Sequence, residues 1–165
     1  MNTKKSIPGV EWNKIIKFLK KENLWEHVSP KEIDFFKKQE SPWKDNIQAF
    51  WRSEAAWILL WALRHINDLA MPVEQCSVKT IVDSVPSPRD STTDFIENAK
   101  LRSISDILDV SDLMYRAHWA TRDSGINDDT ECANLDEDIA MEWHYAINWP
   151  TCYNDADWDD VTTDT

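Results

Sequence analysis

The sequence predicts a mostly α fold, a single irregular helical domain of six to eight helices around a central apolar helix. Three observations lead there. Only two glycines occur in 165 residues, too few for a turn-dense β-barrel, a glycine-rich nucleotide loop or a collagen repeat. Apolar residues recur at three- and four-residue spacings in several segments, and no period-two alternation is long enough to make a strand. The stretch from Ala55 to Leu63 is apolar throughout, as in a helix covered on all sides. A chain of this size suits one domain and buries roughly 70% of its unfolded surface. Its composition, 42% hydrophobic and 29% charged, argues against disorder.

The elements follow in order. A first helix is expected near Glu11–Lys21, with Ile15, Ile16, Phe18 and Leu19 inward and lysines outward. Ser29-Pro30-Lys31-Glu32 predicts a helix start, with Ser29 as N-cap, Pro30 at the first helical position and Glu32 closing a capping box. Ser41-Pro42 opens the central helix by the same logic, and its apolar stripe runs to about Ile66. Within it, Glu54 lies four residues from both Phe50 and Ile58. That places it in or beside the core, where a carboxylate needs a partner.

Short helices are predicted near Ser77–Ser84 and Asp94–Lys100, the second capped by Thr92 or Thr93. A longer one spans Ile104–Arg122, carrying Ile107, Leu108, Val110, Leu113, Met114, Ala117 and Ala120. Asp109 to Asp112 are expected to interrupt it, and Gly125 to take the left-handed position past its end. A last helix, Asp136–Asn148, begins with three acids at its positive end and stops before Trp149-Pro150. Trp51, Trp57, Trp61, Trp119 and Trp143 are expected at the core or its edge. Trp149 and Trp158 are expected to pin an acidic tail onto the body.

No apolar run follows the lysines at positions 4 and 5, so no signal peptide is read there. The longest apolar run has nine residues, against about 20 for a membrane span. Cys76, Cys132 and Cys152 are widely spaced and lack a CxxC pair, which fits ordinary thiols in a reducing cytoplasm and not a zinc set. The alternating acids from Asp155 to Asp160 fail as a calcium loop, because Asp160 stands where the sixth-position glycine is required. No metal and no cofactor is implied.

Charge is the most informative bulk property. Net charge is −12 at neutral pH. Residues 1–40 carry +3, residues 41–100 carry −2 and residues 101–165 carry −13. Such a field repels nucleic-acid backbones and attracts basic proteins.

Three further stretches occur together: Trp51-Arg52-Ser53-Glu54 leading to Leu59-Leu60-Trp61-Ala62-Leu63; Tyr115-Arg116-Ala117-His118-Trp119-Ala120 with Arg122-Asp123; and Glu142-Trp143-His144-Tyr145-Ala146-Ile147-Asn148-Trp149 with Trp158-Asp159-Asp160-Val161 and Thr165. Over roughly residues 45–165 this set resembles a bacterial family labelled only as domain of unknown function 4272. In that family a basic residue usually precedes Arg-Ser-Glu and a glycine follows Trp-Ala-Leu, where this chain has Trp51 and Arg64. The resemblance implies a fold and no catalytic role. Residues 1–44 are expected to form a basic helical extension packed with residues 45–165 as one unit.

Bottom-up, Arg52, Glu54, Arg116, Arg122, Glu142 and Asn148 read as a structural polar framework. Glu54 and Glu142 are expected to meet arginines from the Arg116–Arg122 helix. The function expected is an acidic binding protein of the cytoplasm, in its sharpest form an immunity or antitoxin-like inhibitor of a basic toxin such as a nuclease. Its contact set would be Asp128, Asp129, Glu131, Asp136, Glu137 and Asp138, and it would bind neither nucleic acid nor membrane. The alternatives are an enzyme whose pocket gathers Glu54, Arg116, His118 and His144, or a scaffold. No HExxH, Gly-x-Ser-x-Gly or phosphate loop is present to favour the enzyme.

Overall fold

A computed structural model describes residues 12–38, 43–127 and 134–165, with the backbone alone at positions 43–46, 48, 49 and 127. Seven α-helices and no strand occur among the described residues. The helices are α1 (Trp12–Lys21), α2 (Pro30–Lys37), α3 (Trp43–Ala62), α4 (Val78–Ser84), α5 (Thr93–Glu97), α6 (Ile104–Asn127) and α7 (Glu137–Asn148), with 3-10 turns at Trp25–His27, Tyr153–Asp155 and Trp158–Asp160. The mostly α class is as the sequence predicts. None of the described helices is long and apolar enough to cross a membrane. The chain divides into two compact units, residues 1–50 with 85–98 and residues 51–84 with 99–165.

In the first unit the capping box forms as the sequence predicts. The Ser29 hydroxyl accepts the Glu32 N–H at 3.3 Å and the Glu32 carboxylate accepts the Ser29 N–H at 3.0 Å. Trp12 meets Phe35 and Phe36 edge-on at 5.3 and 5.9 Å, so α1 and α2 pack through aromatic rings. Just past α1, Glu22 accepts the Thr92 N–H at 2.9 Å and the Thr92 hydroxyl at 3.2 Å, which ties α1 to the start of α5. The Thr92 N–H, followed by Lys21, holds that carboxyl below its usual range.

In the second unit α3 supplies the buried residues Glu54, Ala55, Ile58, Leu60, Trp61 and Ala62. The helix ends four residues before the expected Ile66. Its end is a Schellman arrangement, in which His65 N–H donates to Leu60 O at 2.9 Å and Arg64 N–H to Trp61 O at 2.9 Å. Arg64 holds φ 66° in the left-handed region, where a residue with a Cβ costs roughly 1–2 kcal/mol. This is the place where the resembled pattern carries glycine. The Arg64 side chain reaches the Leu101 carbonyl at 3.3 Å.

Arg102 closes the same helix end. Its backbone N–H donates to Ala62 O at 2.9 Å. Its guanidinium donates to Trp61 O and Ile66 O, both at 2.8 Å, and to Asn67 O at 2.7 Å, and it lies 4.7 Å over the Trp61 ring. Ala62 O is a carbonyl that a terminating helix leaves without a partner, Trp61 O takes this bond beside the Arg64 N–H, and Ile66 and Asn67 lie in the turn just past the helix.

The helix α6 runs through Asp109 and Asp112 without interruption, because both acids face solvent. Gly125 lies inside it and is not a left-handed cap. It buries Ile107, Met114, Ala117, His118 and Thr121. Beside it, α7 buries Ile139, Ala140, Trp143, His144, Ala146, Ile147 and Asn148. Asp136 caps α7 by accepting the Ile139 N–H at 3.0 Å, while its own N–H donates to Pro72 O at 2.8 Å.

The segment after α7 is pinned by aromatic stacking. Trp158 packs on Tyr145 at 5.0 Å and on Trp149 at 5.5 Å. The Arg52 guanidinium lies 4.3 Å over Tyr145 and 5.4 Å over Trp158. Tyr145 donates to Trp158 O, and Asn148 Nδ2 donates to Thr162 O at 2.9 Å.

Candidate functional site

Side chains that could carry chemistry gather along α7. Trp143 and Glu142 look toward α3, and His144 looks toward α6. The spacing allows this, since Glu142 and His144 stand about 160° apart around a helix of 3.6 residues per turn.

Glu54 is buried and has two partners. Its carboxylate accepts the Trp143 indole N–H at 2.8 Å and the Cys76 backbone N–H at 2.8 Å. The sequence expectation paired Glu54 and Glu142 with arginines of α6, and the structure corrects it. Glu54 meets neutral donors. Glu142 meets Arg52 of α3 at 3.5 Å, and burial outweighs that guanidinium, leaving the Glu142 carboxyl above its usual range. Arg116 points to solvent and pairs with Asp112 one turn back, at 2.9 Å. Arg122 donates to the Thr165 backbone oxygen. Of the framework residues, Glu54 and Asn148 are buried, Glu142 is half-buried, and the three arginines lie toward the surface. The Cys76 thiol lies half-buried near the Glu54 anion, and burial followed by that charge pushes it up to about 12.

His118 and His144 meet where α6 and α7 pack. Their Nδ1 atoms lie 3.2 Å apart, both rings are buried, and Tyr115 stands edge-on to His144 at 5.5 Å. The Thr165 hydroxyl lies 2.8 Å from His118 Nδ1. An Nδ1 to Nδ1 contact needs one N–H and one lone pair, so the pair is stable when both rings are neutral. Burial, then the neighbouring His118, brings His144 down to about 4. Burial, then Arg122, lowers His118.

The sign of the pH dependence follows. Between about pH 6.5 and 4 the unfolded chain binds protons at these rings that the folded chain refuses, so stability falls as pH falls through that window. His144 should account for about 2 kcal/mol of the loss, after a discount for solvent screening. In urea titrations from pH 7.5 to 5, wild type should lose stability steadily. His144→Asn, whatever its starting stability, should show a flatter slope. An unchanged slope in that variant would count against the neutral pair.

The pocket imagined for an enzyme does not assemble as a unit. His118 and His144 meet, but Glu54 is bound to Trp143 and Cys76, and Arg116 is on the solvent side. Of the candidate partner-binding acids, Asp128, Asp129 and Glu131 lie outside the described residues. Asp136 is half-buried and engaged as a cap. Glu137 and Asp138 are exposed in the first turn of α7. There they also stabilise the positive end of the helix.

A family model described as Domain of unknown function (DUF4272) matches residues 3–161. The chain belongs to this family. The matched span takes in residues 3–44, so the family extends across both compact units and beyond the motifs that carry the sequence resemblance. No curated protein and no solved structure matches the chain.

Sequence reasoning missed Arg102 in this DUF4272 chain. It stands alone in Leu101-Arg102-Ser103 with no helical spacing to mark it. Trp119, expected in or beside the core, is 53% exposed. The signal for that was present, since Trp119 lies on a different side of α6 from Met114 and Ala117.

Proposed function

We propose that this chain is an acidic protein-binding member of DUF4272 acting in the bacterial cytoplasm. Its partner is a basic protein, and the sharpest form of the reading is an immunity or antitoxin-like inhibitor of a toxin such as a nuclease. One observation carries this reading: residues 101–165 hold a net charge of −13. A field of that sign mimics the phosphates that a nuclease cleft attracts, and it accelerates encounter with a cationic surface. The exposed Glu137 and Asp138 and the half-buried Asp136 are the described members of the contact set. Asp128, Asp129 and Glu131 complete it.

The test begins with the reading frame beside the gene. Its product, co-expressed with this chain, should co-purify and lose its activity. The association rate should fall at least about tenfold between about 50 mM and 500 mM salt. Glu137→Gln with Asp138→Asn should slow association at low salt and have little effect at high salt. A rate insensitive to salt, or a neighbouring product that does not bind, would overturn the reading.

A further inference from the structure

Ile104, Leu108, Tyr115, Trp119 and Ile126 of α6 are exposed by 78%, 52%, 44%, 53% and 77%. Positions 104, 115 and 126 are eleven apart, as are 108 and 119. An eleven-residue period gives about 3.67 residues per turn, close to the α-helix itself, so the five side chains form one nearly straight stripe. At about 100° per residue they fall within a sector of about 60°, turned about 100° from the buried face of Ile107 and Met114. At roughly 1.5 Å per residue the stripe is about 33 Å long. Isolated surface apolar residues need no explanation, whereas a continuous band bordered by charge marks a contact surface.

The borders say what kind of partner fits. Asp109, Asp112 and Asp123 follow along one margin, with Arg116 held by Asp112 at 2.9 Å. On the other margin His118 carries Thr165, which brings in Asp164, bonded to the Tyr153 hydroxyl. Arg122, which lies in the stripe, is turned to the Thr165 oxygen. Over its length α6 holds four aspartates and two arginines within a chain of net charge −12. A second copy would set acidic margins against acidic margins.

We propose that the α6 stripe is the docking surface for a cationic amphipathic helix of the partner protein. The partner helix lays its apolar face along Leu108, Tyr115 and Trp119, and its lysines or arginines reach the aspartates on either side. This rests on the reading of the chain as a binder of basic proteins and adds a helical docking surface to its acidic contact set. Trp119 sits near the middle of the stripe, where an aromatic anchor contributes most.

The probe is a synthetic amphipathic peptide of leucine and lysine, about 20 residues long to match the stripe, titrated into the full chain. Calorimetry reads affinity and backbone-amide NMR reads the site. Shifts should cluster on residues 104–126, and the same peptide with glutamate for lysine should bind at least about tenfold more weakly. Leu108→Ser with Trp119→Ser, both at exposed positions, should weaken the lysine peptide at least about tenfold while leaving the urea midpoint near wild type. Glu74→Gln, at an exposed position outside both the stripe and the acidic contact set, should leave peptide affinity within about twofold.

Equal affinity for the glutamate peptide would overturn the proposal. So would concentration-dependent self-association of the wild type that the Leu108/Trp119 variant abolishes, because the stripe would then be a dimer face. If the Glu137/Asp138 variant lost the peptide and the Leu108/Trp119 variant kept it, the stripe would be ruled out while the acidic binding function stood. Loss of salt-steered binding to the neighbouring gene product, with peptide docking intact, would separate the opposite case.

Discussion

Glu54→Gln should destabilise the chain by about 3 kcal/mol, despite changing one atom. The carboxylate has two oxygens facing two donors, Trp143 Nε1–H and the Cys76 N–H, each at 2.8 Å. A glutamine must turn its NH2 toward one of them, which sets donor against donor at a residue with 2% exposure. The urea midpoint should drop with little change in slope. Trp143→Phe removes one donor and should cost about 1–2 kcal/mol, and the double variant should cost less than the sum. Glu142→Gln is the contrast. Arg52 keeps its stacking on Tyr145 and Trp158, so the loss there should stay below about 1 kcal/mol. A Glu54→Gln midpoint within experimental error of wild type would sink this account.

Arg102→Ala should be as damaging, again about 3 kcal/mol. One guanidinium serves the carbonyls of Trp61, Ile66 and Asn67 and covers the Trp61 ring. Charge-assisted bonds of this kind contribute more than neutral ones, and the ring contact adds to them. Truncation leaves carbonyls at the end of α3 to compete for whatever water can reach them. Arg102→Lys should recover less than half of the loss, because an ammonium lacks the planar fork that reaches three acceptors. Thermal and urea unfolding of the two variants would check both figures. If alanine and lysine behaved alike, the fork geometry would be irrelevant.

These residues also show what was legible in the chain. Local devices read well. Ser29 and Glu32 are three residues apart, and their reciprocal bonds follow from that spacing alone. The three acids at the positive end of α7 read as directly, although the first of them, Asp136, caps the helix and does not begin it. The burial of Glu54 was legible from apolar neighbours four residues to each side. Its partner was not, because Trp143 lies 89 residues away and neutral donors satisfy a carboxylate as well as arginine does. The expected arginine framework failed on helix azimuth. Arg116 sits one turn after Asp112 on the wet side of α6, a local pairing that removes any need for a buried partner. Azimuth also decides Trp119, expected at the core or its edge, since it shares a separate sector of α6 with Leu108. Asp109 and Asp112 suggest a break by residue type alone, and both face solvent, so α6 runs on through them. The central helix was expected to continue to Ile66, and it stops at Ala62 because Arg64 accepts a left-handed backbone that composition does not advertise.

The grip of Arg102 has a mechanical side as well. It stands two residues before α6 and is bolted to the end of α3 through its backbone and three side-chain bonds. A helix is stiff over its length, so this joint acts together with the His118–His144 contact in fixing the roll of α6 about its own axis. Slippage by a single residue would swing Trp119 by about 100°. The direction in which the molecule offers its outer band is therefore held in part by a residue about 20 Å upstream of the band's middle.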